Sequence, residues 1–155
     1  MNPPDAPKAA RKPKVHKKAA QPVKHHRLQS LEEMAAEKDR ISSRGGNDEP
    51  YFSKHCSSQF VFWQKNAEQG NSIAQLLLGN CYGYGFGVQK DYAEAVAWFR
   101  KAAEQGHATA QNELGERYHN GEGVEKNEGT AVAWYRKAAK QGNENAKQKL
   151  KELGL

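Results

Sequence analysis

Residues 74–109 laid over residues 110–145 without a gap match at 19 of 36 positions. The matched pairs include Ala74/Ala110, Leu78/Leu114, Gly79/Gly115, Tyr82/Tyr118, Gly85/Gly121, Gly87/Gly123 and Val88/Val124. They continue through Ala95/Ala131, Trp98/Trp134, Lys101/Lys137, Ala102/Ala138, Ala103/Ala139 and Gly106/Gly142. An earlier half-copy, Phe62 to Gly70, stands in register with Trp98 to Gly106, and a later fragment begins at Ala146 with Leu150 where Leu78 and Leu114 stand. A fixed period of this length dictates a stack of like units, because one unit cannot hide its apolar face alone and its neighbours must cover it.

Each unit reads as two helices. Helix A spans about Ala74 to Tyr82 and again Ala110 to Tyr118, with the repeated residues at i, i+4 and i+8 on one face. Gly85-Phe86-Gly87-Val88 and Gly121-Glu122-Gly123-Val124 make a turn whose glycines permit positive φ. Helix B starts at the N-caps Asp91 and Asn127 and buries Ala95, Trp98 and Ala102, or Ala131, Trp134 and Ala138. Gly106 and Gly142 end it.

The string Ala-x-x-x-Leu-Gly-x-x-Tyr-x-x-Gly-x-Gly-Val, followed by Ala-x-x-Trp-[Phe/Tyr]-x-Lys-Ala-Ala-x-Gln-Gly, resembles the Sel-1-like repeat, one of the tetratricopeptide-type helical solenoids. The resemblance covers residues 62–150. It implies an all-α, right-handed superhelix that binds other proteins and assembles complexes, with no reaction and no cofactor. Residues 51–61 fit the register loosely, since Tyr51 and Phe52 stand where Gly87 and Val88 would be. The expected organisation is a basic tail (1–30), a short helix and linker (31–50), a partial repeat (51–73), two repeats (74–109 and 110–145) and a C-terminal cap (146–155).

Positions that the two copies share serve the scaffold; positions where they differ are free to serve a partner. On helix A these are Leu76, Leu77, Asn80, Cys81 and Tyr84 in one copy, and Asn112, Glu113, Glu116, Arg117 and Asn120 in the other. The resemblance places the A helices on the concave side. Leu76, Leu77, Asn80, Tyr84 and Phe86 of the first copy, with Glu113, Glu116, Arg117 and Asn120 of the second, are therefore the expected partner-binding residues. The competing expectation is that Leu76, Leu77 and Phe86 pack against the incomplete first repeat or the helix before it.

The charge is unevenly placed. Residues 1–30 hold eight cations, Lys8, Arg11, Lys12, Lys14, Lys17, Lys18, Lys24 and Arg27, against Asp5 alone. The whole chain is +6, so residues 31–155 sum to −1. Five of the six prolines lie in the same stretch, which predicts a disordered, extended tail. Such a tail solubilises, or it meets phosphate on nucleic acid or an anionic membrane surface by sequence-independent attraction. It has no aromatic residue for stacking on bases. After it, Ser30-Leu31-Glu32-Glu33 forms a capping box, and Leu31, Met34, Ala35 and Ile41 recur at helical spacing, predicting an amphipathic helix over 31–42 that docks on the repeats or binds a partner.

Other function classes find little support. No run of 18 or more apolar residues occurs, and the first 20 residues hold no apolar stretch, so neither a membrane-spanning helix nor a secretory signal is expected. Two cysteines 25 residues apart make no disulfide-rich scaffold, and a reduced, cytosol-like compartment is expected, or the nucleus in a eukaryote. The glycines from Gly83 to Gly87 mimic a phosphate loop, but a nucleotide loop follows a strand. His55-Cys56 lacks a third orienting group for nucleophilic catalysis, and no Cys/His spacing fits a zinc site. A cysteine-rich branch of the family is linked to penicillin binding. Its paired cysteines within each repeat are missing here, since Arg117 takes the place of Cys81, which argues against a β-lactam hydrolase. The reading is a non-catalytic adaptor; its rival is a protein that works through the basic tail.

Overall fold

The computed structural model describes Glu33, Ala36, Arg40 and residues 49–155. The basic segment 1–30 and most of the helix expected over 31–42 lie outside the described residues; Glu33, Ala36 and Arg40 themselves are helical and exposed. The described chain is all helical, with α1 (Glu49–Glu68), α2 (Ser72–Tyr84), α3 (Tyr92–Glu104), α4 (Ala108–Asn120), α5 (Glu128–Lys140) and α6 (Glu144–Glu152). No strand occurs among the described residues. Each helix packs chiefly on its neighbours in sequence, as a solenoid requires.

The units repeat down to their caps. Asn71 Oδ1 accepts from Ala74 N, and Asn143 Oδ1 from Ala146 N, both at 2.9 Å. His107 fills the same role with Nδ1, at 3.5 Å from Ala110 N. These caps start α2 and α4 about one half-turn before the shared Ala74 and Ala110. Asp91 and Asn127 cap the B helices as expected. Gly85 and Gly121 close the A helices with φ of 76° and 71°, a left-handed conformation that an L side chain resists.

Residues 51–61 behave differently from the repeats. Where the repeats break at Gly85-x-Gly87, this stretch has Glu49-Pro50-Tyr51, no glycine enforces a turn, and α1 runs unbroken from Glu49. Pro50 sits in its first turn, where the missing N–H is not needed.

Packing follows the register. Phe99 lies over Gly79 and Tyr135 over Gly115; a Cβ on Gly115 would stand 2.7 Å from Tyr135 Cε1, so only glycine lets the A and B helices meet there. Trp98 reaches back to the core formed by α1 and α2, and Trp134 reaches back in the same way to the core formed by α2, α3 and α4. A glutamine stitch recurs at the same interval. Gln75 Nε2 donates to Ala67 O at 3.1 Å and its Oε1 accepts from Gln105 Nε2 at 2.7 Å. Gln111 does the same with Ala103 O and Gln141, at 3.1 and 2.8 Å. Each stitch adds a second donor to a carbonyl in the last turn of a B helix, beside the 3.0 Å backbone bond from Gly70 N or Gly106 N, where the α-helical ladder has ended.

The two cysteines are joined. Cys56 of α1 and Cys81 of α2 form a disulfide with Cα atoms 6.3 Å apart, and both are fully buried. The expectation of a reducing compartment rested on a cysteine count too low for a disulfide-rich scaffold, and one bridge does not make such a scaffold. Cys56 therefore offers no thiolate beside His55.

Candidate functional site

The structure divides the expected partner-binding residues into core and surface. Leu76, Leu77 and Asn80 are fully buried and leave the surface set. Leu77 belongs to the core with Trp63 and Cys56, whereas Leu76 belongs to the core with Phe99, Ala110 and Leu114. The physical reason is that α2 is an interior helix, covered by α1 on one side and by α3 and the following unit on the other. The copies differ at these positions because their neighbours differ. Asn80 is enclosed so completely that neither its Oδ1 nor its Nδ2 has a hydrogen-bond partner.

Arg117 is also buried, at 6% exposure. It pairs with Glu113 at 3.6 Å and with Glu122, and its guanidinium lies 5.5 Å from the Tyr92 ring centroid and 5.8 Å from that of Phe99. Burial pulls this group down, but Glu113 and Glu122 outweigh it and the guanidinium is held more firmly protonated than usual. Arg117 thus ties α4 to the preceding unit and is unavailable to a partner without breaking that knot.

Tyr84, Phe86, Glu116 and Asn120 remain at the surface. Tyr84 is 48% exposed and stacks on half-buried Phe86, with ring centroids 5.5 Å apart and planes at 21°. Asn120 is exposed, whereas Glu113 and Glu116 are half-buried. Tyr84 lies near enough to Arg117 to act on its charge, so the aromatic pair adjoins the charged face of α4.

That face continues to α6 through residues the sequence did not single out. Between α4, α5 and α6 lies a small pocket lined by His119, Tyr135, Lys149, Glu152 and Leu153. Tyr135 is fully buried and its hydroxyl has no hydrogen-bond partner. Burial first, then the carboxylates of Glu116, Glu128, Glu113 and Glu152, push that hydroxyl up, so it stays protonated. Glu116 is raised as well, by burial and then by Glu113, against the pull of Lys149, Arg117 and a hydrogen bond with Asn112. Among the described residues Glu116 has no ion pair within 4 Å, while Glu152 pairs with Lys149 at 3.5 Å and Glu128 with His119 at 2.8 Å. The signal that could have found this pocket was the Phe99/Tyr135 difference, which places a hydroxyl in one repeat only.

The Sel1 repeat profile matches residues 72–107 and 108–143. Among solved structures, the chain is similar to a Sel1 repeat protein from Oxalobacter formigenes, with 36% identity and a TM-score of 0.61 over 77% of this chain and 45% of that one. It is also similar to c5321, a protective antigen of uropathogenic Escherichia coli with the same type of repeat fold, at 32% identity and a TM-score of 0.60 over 77% of this chain and 27% of that one. The chain thus spans less than half the length of either. Cysteine-rich protein B of Helicobacter pylori shares the fold at 24% identity, with a TM-score of 0.55 over 72% of this chain and 93% of that one. No curated protein matches the chain. No helix among the described residues is long and apolar enough to cross a membrane.

Proposed function

Because the chain carries two Sel1 repeats within an all-helical solenoid, we propose that it is a non-catalytic adaptor that binds another protein along its A helices. The strip runs from Tyr84 and Phe86 at the end of α2, across Glu116 and Asn120 of α4, to Lys149 and Glu152 of α6. The observation that carries this reading is the stacked Tyr84–Phe86 pair, half outside the core at a place where the second copy has Asn120 and Glu122. An aromatic held rigid beside charged groups is the composition of an interface anchor. The core needs no exposed tyrosine there, since the second copy folds with asparagine.

The test is affinity capture from lysate of the source cell, at low and high salt, with the full chain, a form lacking residues 1–30 and Tyr84→Ser/Phe86→Ser. A protein retained at high salt by the first two and lost by the third supports the adaptor. Recovery of nucleic acid or lipid alone, vanishing with salt or with residues 1–30, would assign the work to the basic segment instead.

A further inference from the structure

Trp63 is buried on a side where the described residues have nothing to bury it. Phe99 and Tyr135, at the same register one and two periods on, each lie between two A helices. Phe99 packs over Gly79 of α2 and against Ala110 and Leu114 of α4. Tyr135 packs over Gly115 of α4 and against Ala146 of α6. Trp63 has Ala74, Leu77 and Leu78 of α2 on one side. On the other, where the A helix of its own unit belongs, the described residues supply no helix, and α1 packs chiefly on α2. An indole on the outermost helix of a stack, covered from one side, stays partly open to water. Trp63 is 0% exposed, so chain upstream of Glu49 completes its cover.

We propose that residues 31–42 are the A helix of this first unit and close the α1 end of the stack. Glu33, Ala36 and Arg40 are helical and exposed; spaced by three and four, they share one face. Leu31, Met34, Ala35 and Ile41 fall on the opposite face of such a helix, which leaves the apolar side for a neighbour. Lys38 shares that side and has a stem long enough to carry its charge past it. A helix this short is marginal in water without a neighbour to pack on. The connection 43–48 is as short as those that join antiparallel helices elsewhere. The level agrees as well. Gly79 stands five residues before the end of α2, and Phe99 seven after the start of α3. Trp63 stands 14 residues after the start of α1, so by equal rise the residue facing it lies about twelve before the end of the upstream helix. For a helix ending at Ser42 that place is Ser30 or Leu31, the start of the apolar face. Val61, at the register of exposed Ala97 and Ala133, stays outside this contact.

The experiment is hydrogen exchange read by mass spectrometry on the full, disulfide-bonded chain, at two protein concentrations. Ala35→Asp puts a charge on the apolar face, and Ala36→Asp puts the same charge on the exposed face at equal cost in helix propensity. Ala35→Asp is expected to speed exchange across residues 56–67 about tenfold, since a charge is not buried without a partner. Ala36→Asp should leave those amides at the wild-type rate, with α4 to α6 unchanged in both. Met34→Ala, too mild to unfold the repeats, should speed the same amides severalfold. Equal exchange in Ala35→Asp and Ala36→Asp overturns the proposal, as does wild-type protection in Met34→Ala. Protection across 56–67 that increases with protein concentration overturns it too, because a second copy is then the cover.

Discussion

Reduction of the Cys56–Cys81 bridge should loosen the first unit and leave the second nearly untouched. The bridge closes a loop of 25 residues, for which the chain-entropy relation gives about 3.5 kcal/mol, or a few hundred-fold in the folded-to-unfolded ratio. The stabilisation is local: it ties α1 to α2, while α4, α5 and α6 are held by their own cores. Repeat arrays unfold unit by unit when one junction weakens. Protein unfolded, reduced and refolded in reductant should therefore lose hydrogen-exchange protection across α1 first. Its urea curve should begin about 2 M earlier, for a slope near 2 kcal/mol/M. Coincident curves with and without reductant would refute the reasoning. So would two titratable thiols in unfolded, unreduced protein, since the bridge would then not exist in solution.

Four further perturbations bear on the same structure. Gly115→Ala should destabilise by about 1–2 kcal/mol despite alanine's better helix propensity, because its Cβ would crowd Tyr135; thermal unfolding checks the sign. Gln111→Leu removes its bonds to the Ala103 carbonyl, which keeps the Gly106 N–H at 3.0 Å, and to the exposed Gln141 amide, and should cost about 0.5–1.5 kcal/mol in the same assay. Glu116 has a raised pKa in the fold, so its ionisation opposes folding at neutral pH, and that penalty lifts as pH falls through the folded value toward the ordinary carboxylate value. Stability of the wild type relative to Glu116→Gln should accordingly rise on acidification, and equal slopes against pH would show that Glu116 is not desolvated. Tyr92→Cys/Arg117→Cys should form a second bridge, visible as a mass loss of two hydrogens, because these positions stand one period after Cys56 and Cys81.

Most of the fold was legible because the period states it twice. Agreement between copies locates Gly79 and Gly115, where a Cβ would collide, and Gly85 and Gly121, where φ is positive. It also locates the caps Asp91 and Asn127. Where there is one copy, the register says less. Residues 51–61 have no second example, and their continuous helix follows from the absence of turn glycines, a weaker signal than the presence of two. The site was less legible because difference between copies has two causes that a sequence does not separate. Tyr84 differs from Asn120 at the surface, but Leu76 and Leu77 differ from Asn112 and Glu113 because their packing partners do.

The cysteines show how that ambiguity resolves. Taken as a pair 25 residues apart they say nothing, and taken as a departure from the cysteine-rich pattern they invite the conclusion that no bridge exists. Shifted by one period, Cys56 falls on Tyr92 and Cys81 on Arg117. In the structure Cys56 bonds to Cys81, and Arg117 lies over the Tyr92 ring. The same two register positions, one on a B helix and one near the end of the next A helix, thus join each unit to its successor, first by a covalent bond and then by a cation on an aromatic face. A cation–π contact is worth roughly 0.5–2 kcal/mol, and Glu113 and Glu122 supplement it. At the third repetition the positions are Glu128 and Leu153, which have no such chemistry between them. Leu153 there lines the pocket floored by Tyr135. The pocket lies, then, at the junction where neither a disulfide nor a cation on an aromatic face joins one unit to the next.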